Sequence, residues 1–235
     1  MSDGTQPSPV SITRQGGVLI VAINNPPVNA LNQAVRAGLL DAMQRAEEDA
    51  DVWAVLIVGK GKAFIAGADL REFGQPPKPP SMPEVCNRIE ASSKIVVAAV
   101  HGPALGGGLE TALSAHYRLA LPDARLGLPE VQMGLIPGAG GTQRAPRLIG
   151  AAAALNLMLT GQHIGAKEAF ELGLVDRISD GVDAETAGLA YALELATLGA
   201  GVRRTRDAQG LADRAAAQAA IDAAKADTAK KSRGL

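Results

Sequence analysis

Two glutamates carry the most suggestive chemistry in this sequence. Glu110 lies two residues past the run Gly106, Gly107, Gly108 and is flanked by Leu109, Ala112 and Leu113. Glu130 follows Pro129 in the apolar stretch LGLPEV at 126–131. Apolar surroundings disfavour the charged form of a carboxyl group, so its pKa rises and it can exchange protons near neutrality. Two such groups can divide acid and base roles. The glycine run opens onto a helix, whose first N–H groups are unpaired and carry partial positive charge. Glycine lets a ligand atom touch those groups, which suits an oxygen that is becoming an anion. The segment AFIAGADL at 63–70 clusters small residues after a strand and offers a second approach to the backbone. Each feature also has a plainer reading. Three glycines permit tight helix–strand packing, and a glutamate in a first turn complements the helix dipole. A glutamate after proline commonly faces water, and Asp69 can cap a following helix. Taken singly, the plainer readings carry more weight.

The elements that must position these residues alternate between strand and helix. Residues 18–23 form an apolar β-rich run stopped by the turn at 24–27. From 32 to about 48, Val35, Leu39, Leu40 and Met43 recur at helical spacing. Residues 53–58 and 95–100 read as further buried strands, with a turn at 59–63, a Gly/Pro loop at 73–81 and a short helix at 83–94 between them. The glycine loop 101–108 leads into a helix over 109–115 and a strand over 117–121. A second glycine loop, 135–141, opens a helical stretch from 142, with helix at 151–159 and 166–172 and a last strand at 174–178. This is an α/β pattern. Beyond about 183 the chain is alanine-dominated and helical, broken at 203–206 and resuming to about 231, which reads as an appendage and not a second core.

Composition removes other classes of function. The 235 residues suit one domain, or one domain with a helical appendage. At 47% hydrophobic residues and a mean hydropathy of +0.09, the chain can bury a sizeable core. Aromatic residues make up only 3%, so aliphatic packing and close backbone approach must build that core. A net charge of −1 argues against nucleic-acid binding. The lone cysteine, Cys86, excludes an internal disulfide, and with His101, His116 and His163 scattered no metal site is expected. The polar start at 1–9 is expected to fray and is no signal peptide, and no apolar run is long enough for a membrane span, so the expected location is the cytoplasm. Neither glycine loop is a phosphate cradle. Neither ends in Lys followed by Ser or Thr, and after Gly138 and Gly140 the third glycine of G-x-G-x-x-G is replaced by Gln143.

Three segments together are more specific than any one alone. AGADL at 66–70, GPALGGGLE at 102–110 and LPEVQMGLIPGAGGTQR at 128–144 resemble the enoyl-CoA hydratase/isomerase (crotonase) family, and the resemblance runs over about 9–180. It implies an α/β fold, a crotonase-like spiral of ββα repeats over 1–183, with a C-terminal helical segment over 184–235 that covers the site and mediates assembly. It implies an acyl-CoA thioester substrate and an oxyanion hole made by the backbone N–H groups of Ala68 and Gly107. Glu110 and Glu130 match the glutamate pair of the hydratases, which add water to a trans-2-enoyl-CoA in syn fashion through a thioester enolate. In that role Glu110 deprotonates the water and Glu130 protonates C2, while Gly138 matches a glycine that helps hold the water. CoA would follow 62–71, with Lys62, Ala66, Asp69, Leu70 and Arg71 as contacts and the two cations toward its phosphates. Neither metal nor redox cofactor is implied, nor any membrane or nucleic-acid partner.

Two other functions fit the same residues. A Δ3–Δ2 enoyl-CoA isomerase moves a proton between carbons and needs only Glu130. A CoA-thioester-binding module, silent without a partner domain, needs neither glutamate. Residues 25–31, 202–207 and 229–234 are similar to the hydratase half of multifunctional β-oxidation proteins. That similarity implies a missing dehydrogenase domain, whereas the single-function enzymes imply a trimer or a dimer of trimers.

Overall fold

A computed structural model describes residues 8–180 and 183–231. Most of the start expected to fray, and the end of the basic tail at 232–234, lie outside the described residues. A six-stranded sheet forms the centre, in the order β1 (Val10–Gln15), β2 (Val18–Ile23), β3 (Ala54–Gly59), β4 (Ile95–Val100), β6 (Tyr117–Ala120) and β9 (Arg177–Ile178). Only the β1–β2 pair is antiparallel. A smaller sheet pairs β5 (Pro103–Leu105) in parallel with β7 (Arg125–Gly127), and β7 antiparallel with β8 (His163–Gly165). The ββα repeat is visible in β4, β5 and α3 (Gly107–Ser114), and in β6 and β7 followed by α4 (Gly141–Thr160). The first strand of each repeat joins the large sheet, the second joins the small one, and a helix closes the unit.

The continuous apolar runs of β2, β3 and β4 follow from burial on both faces. Alternate residues go to opposite sides. Leu19, Val21, Val55, Ile57, Val96 and Ala98 face one core, built with α1 (Gln33–Glu48), α2 (Met82–Ala91) and α3 (Gly107–Ser114). Val18, Ile20, Leu56, Val97 and Ala99 face the other, covered by Ala187, Tyr191, Ala192 and Leu195 of α6 (Ala184–Thr197). Helix α6 therefore closes the second face of the sheet. Its Gly188 comes so near that a Cβ there would lie 2.5 Å from Leu56 Cδ1. The peripheral helix is α7 (Arg214–Lys231), which packs on α4 (Gly141–Thr160).

Several elements differ from the sequence expectation. Strand β1 escapes a hydrophobicity reading because it is an edge strand of alternating burial with Ser11, Thr13 and Arg14. Strands β5, β7 and β8 have three residues each, too short for a periodicity to register. The strand expected at 174–178 reduces to 177–178, because the N–H groups of Leu174 and Val175 turn back to Ala169 O. Helix α4 spans 141–160 but breaks at Gly150, whose φ of +78° is non-helical. Among the described residues no helix is long and apolar enough to cross a membrane.

Candidate active site

The segments that leave β2, β3 and β4 converge beyond the C-terminal edge of the sheet. Leu31 N donates to Gly67 O at 2.9 Å, Ala66 N to Val28 O at 3.0 Å and Leu105 N to Ile65 O at 3.0 Å, so 28–31, 65–68 and 103–105 are laced side by side. Asn29 anchors the first of them. It is buried, has a left-handed φ of +57°, and its Nδ2 donates to Lys60 O at 2.9 Å and Ala63 O at 2.8 Å. The small residues Ala66, Gly67 and Ala68 are what allow this backbone to border a cavity.

The three glycines have three separate roles. Gly106 has a φ of +52° and lies against Glu130, whose Oε1 would be 3.2 Å from a Cβ placed there. Gly108 is a packing glycine, since a Cβ would meet Ile65 O at 2.0 Å. Gly107 faces the cavity and Ala68: its Cβ position is 3.9 Å from Ala68 N. Gly107 is also the first residue of α3, so its N–H has no helical acceptor. Among the described residues, neither Ala68 N nor Gly107 N donates a backbone hydrogen bond. Two free N–H groups thus border one space, as an oxyanion requires.

Glu110 stands on the first turn of α3, 2% exposed. Its Oε1 accepts from Ala139 N and Gly141 N, both at 2.7 Å. Gly141 begins α4, so the carboxylate caps that helix and meets its positive end. Burial raises the pKa of Glu110 above the ordinary carboxylate value, while the two N–H donors and the nearby Arg144 charge oppose the rise. Glu130 lies on the 3-10 turn Pro129–Met133, 9% exposed. Its Oε2 is buried with no hydrogen-bond partner. Burial raises its pKa too, its own backbone N–H lowers it, and the charge of Glu110 raises it further. Burial thus pushes both carboxyls toward the protonated form, and only Glu110 has N–H donors from other residues that oppose the push.

Both glutamates open on a cavity of about 690 Å³, with Ala66, Ala68, Gly107 and Gly138 in its wall. Gly138 is exposed and has open space at its Cβ position. Its neighbours Ala139 and Gly141, and not Gly138, supply the donors to Glu110, a contact unread in the sequence although a G-x-G-G run at a helix start is its signal. Asp69, Leu70 and Arg71 line the same cavity. Asp69 has the capping role: it accepts from Arg71 N at 3.0 Å and pairs with that guanidinium at 2.7 Å. Leu70 and Arg71 stand exposed at the rim. Lys62 is exposed on the turn after β3 and does not line the cavity. Cys86, on α2, is buried with its thiol pushed up to about 12 by burial, which makes it inert as a nucleophile.

Comparison with known proteins places the chain in a family. The sequence profile described as enoyl-CoA hydratase/isomerase matches residues 13–228. A probable enoyl-CoA hydratase of Bacillus subtilis is 42% identical over 181 residues, covering 71% of this chain and 67% of that protein. A peroxisomal bifunctional enzyme of Danio rerio is 51% identical over 177 residues, 75% of this chain but 24% of that protein. This chain thus spans about a quarter of the length of that relative. The crystal structure of an enoyl-CoA hydratase from Mycobacterium tuberculosis superposes with a TM-score of 0.76 at 37% identity, covering 80% of this chain and 76% of that one. Fold, profile and relatives agree, and the chain belongs to the enoyl-CoA hydratase/isomerase family.

Proposed function

We propose that the protein hydrates trans-2-enoyl-CoA thioesters to 3-hydroxyacyl-CoA. The observation that carries this reading is the pairing of two buried carboxyls, one with two N–H donors and one with a partnerless oxygen, with two unpaired N–H donors around one cavity. The thioester carbonyl oxygen accepts from Ala68 N and Gly107 N. Glu110, whose two N–H donors favour its charged form against the push of burial, takes a proton from water as the water oxygen bonds to C3. The C2–C3 electron pair moves toward the carbonyl, and the enolate oxygen gains negative charge between the two N–H groups. Such a donor contributes roughly 2.7–4 kcal/mol to lowering the barrier. Glu130, whose free Oε2 favours the protonated form, delivers a proton to C2 as the enolate collapses. The proton gained by Glu110 and the one lost by Glu130 then re-equilibrate through solvent. Arg71 at the rim meets the phosphates of CoA. No step in this reading calls for a metal or redox cofactor. The name of an Arabidopsis thaliana relative 43% identical over 188 residues, a peroxisomal fatty acid beta-oxidation multifunctional protein, supports fatty acyl thioesters as the substrate class.

The test follows the loss of enoyl-thioester absorbance of crotonyl-CoA in wild type, Glu110→Gln and Glu130→Gln. Wild-type turnover that each substitution lowers by about 10²–10⁴-fold supports the acid–base pair. A 3-enoyl-CoA substrate separates the isomerase reading, because Glu110→Gln abolishes hydration and spares isomerisation only if Glu130 alone moves that proton. Tight CoA-ester binding without turnover in wild type refutes the proposal and favours a binding module.

A further inference from the structure

Glu110 depends on a polar cluster outside the cavity. The same residue that donates to its carboxylate, Ala139, is held from the other side: Arg144 Nη1 donates to Ala139 O at 2.9 Å. Arg144 lies one turn into α4, is 6% exposed, and reaches back past Gly140. Gly140 has a φ of +102°, and a Cβ there would lie 2.2 Å from Arg144 Nη1, so only glycine leaves room for the guanidinium. The second arm of that guanidinium, Nη2, donates to Asn87 Oδ1 at 2.9 Å and to Glu90 Oε2 at 3.0 Å, both on α2. Glu90 is itself 4% exposed, and its Oε1 accepts from Arg206 N at 2.9 Å. The adjoining Thr205 donates to Leu113 O at 2.8 Å, on the helix that carries Glu110. A buried ion pair adds little net stability over an apolar pair of similar volume. What this one does add is a fixed fork on the loop in front of it.

We propose that Arg144 is a positioning residue, with Glu90 and Asn87 as its clamp: its guanidinium fixes the Ala139 carbonyl, and through the backbone of that residue the N–H that holds the Glu110 carboxylate. The inference rests on Glu110 acting as the base of the proposed hydration. It assigns a role to a charge that does not line the cavity on which Glu110 opens. The charged and titratable groups around Glu110 are Arg144 from α4, Glu130 from the 129–133 turn and the thiol of Cys86 from α2. Arg144 is the one cation among them, and its charge adds to the two N–H donors in opposing the rise that burial causes.

The test compares Arg144→Met, Arg144→Lys and the double variant Arg144→Met with Glu90→Gln, which leaves no unpaired charge behind if Arg144→Met alone does not fold. Turnover of crotonyl-CoA is measured across pH, and circular dichroism checks the fold. The expected result is a kcat lower by about 100-fold with KM little changed, as for a misplaced catalytic group. The acid limb of the pH profile moves to higher pH in both variants that lack the cation. Arg144→Lys restores the position of that limb, because the charge returns, but only part of kcat, because a single ammonium cannot replace the fork. An independent readout titrates the Glu110 carboxyl by carbon NMR, assigned with Glu110→Gln, and expects a raised pKa in the double variant. If wild type shows no turnover, the hydration reading fails while this titration still decides whether Arg144 governs Glu110. Folded variants with wild-type kcat, acid limb and carboxyl titration overturn the proposal, as does a loss of thermal stability alone.

Discussion

Replacing Gly107 by alanine tests the oxyanion hole without touching a charged group. Gly107 has no left-handed φ, so alanine can adopt its backbone. The added methyl carbon would lie 3.1 Å from Leu31 Cδ1, 3.8 Å from Met82 Cε and 3.9 Å from Ala68 N. The first two atoms are ends of flexible side chains, which yield by a few tenths of an ångström at a cost of about 1 kcal/mol. In a chain this long that lowers Tm by about 2–4 °C, and the better helix propensity of alanine offsets part of it. The third distance is the consequential one. A carbonyl oxygen accepting from both Ala68 N and Gly107 N must sit within about 3 Å of each, and the methyl crowds that space. Loss of one donor corresponds to about 10²–10³-fold in kcat. Gly108→Ala is the contrast, because its Cβ would meet the backbone oxygen of Ile65 at 2.0 Å. That variant should lose its fold. The assay is steady-state turnover of crotonyl-CoA together with a thermal melt of each variant. A folded Gly107→Ala protein that retains kcat within about threefold would refute the assignment, since a single donor is worth far more than that.

Other outcomes follow from the two carboxyl groups and the rim. Glu130→Gln replaces a buried carboxyl, charged at high pH, by a neutral amide and should raise Tm by about 2–4 °C at pH 8 while lowering turnover, a trade of activity for stability. A carboxyl whose folded pKa is raised contributes stability below its unfolded pKa and loses it as pH rises through the folded value. The Tm gap between Glu130→Gln and wild type should therefore widen from the ordinary carboxylate pKa upward and close below it, and a gap independent of pH would contradict this. Activity should fall as pH drops through the raised pKa of Glu110, where the base is protonated, and the kcat profile reports that limb directly. Arg71→Ala should raise KM for the CoA thioester several-fold, leave kcat intact and reduce the salt dependence of binding. The same substitution at Lys62, which lies off the cavity wall, should change KM less.

The strands and helices of the core were legible in the sequence because burial wrote them there. Residues buried on both faces of a parallel sheet must be apolar throughout, so β2, β3 and β4 stand out as unbroken runs. The glycine loops and both glutamates were legible as a set, because three segments in a fixed order carry information that one motif lacks. Strands of three residues were not legible, since pairing by β5, β7 and β8 depends on partners distant in the chain. The place of α6 was hidden for a related reason: alanine-rich helices look peripheral, yet small side chains are what allow Gly188 and Ala192 to sit on the sheet.

The sequence by itself determined the residue types, the order of the elements and the family likeness. The tertiary structure decided which of three adjacent glycines serves packing, which a left-handed turn and which borders the cavity, because that depends on Ile65, Glu130 and Ala68 arriving from elsewhere. It also decided the hydrogen bonding of the two carboxyls. Both sit in apolar sequence, but one meets the start of α4 with two N–H donors while the other keeps a buried oxygen without a partner. A pKa reflects the full set of groups around a carboxyl, and those groups come together only when the chain has folded.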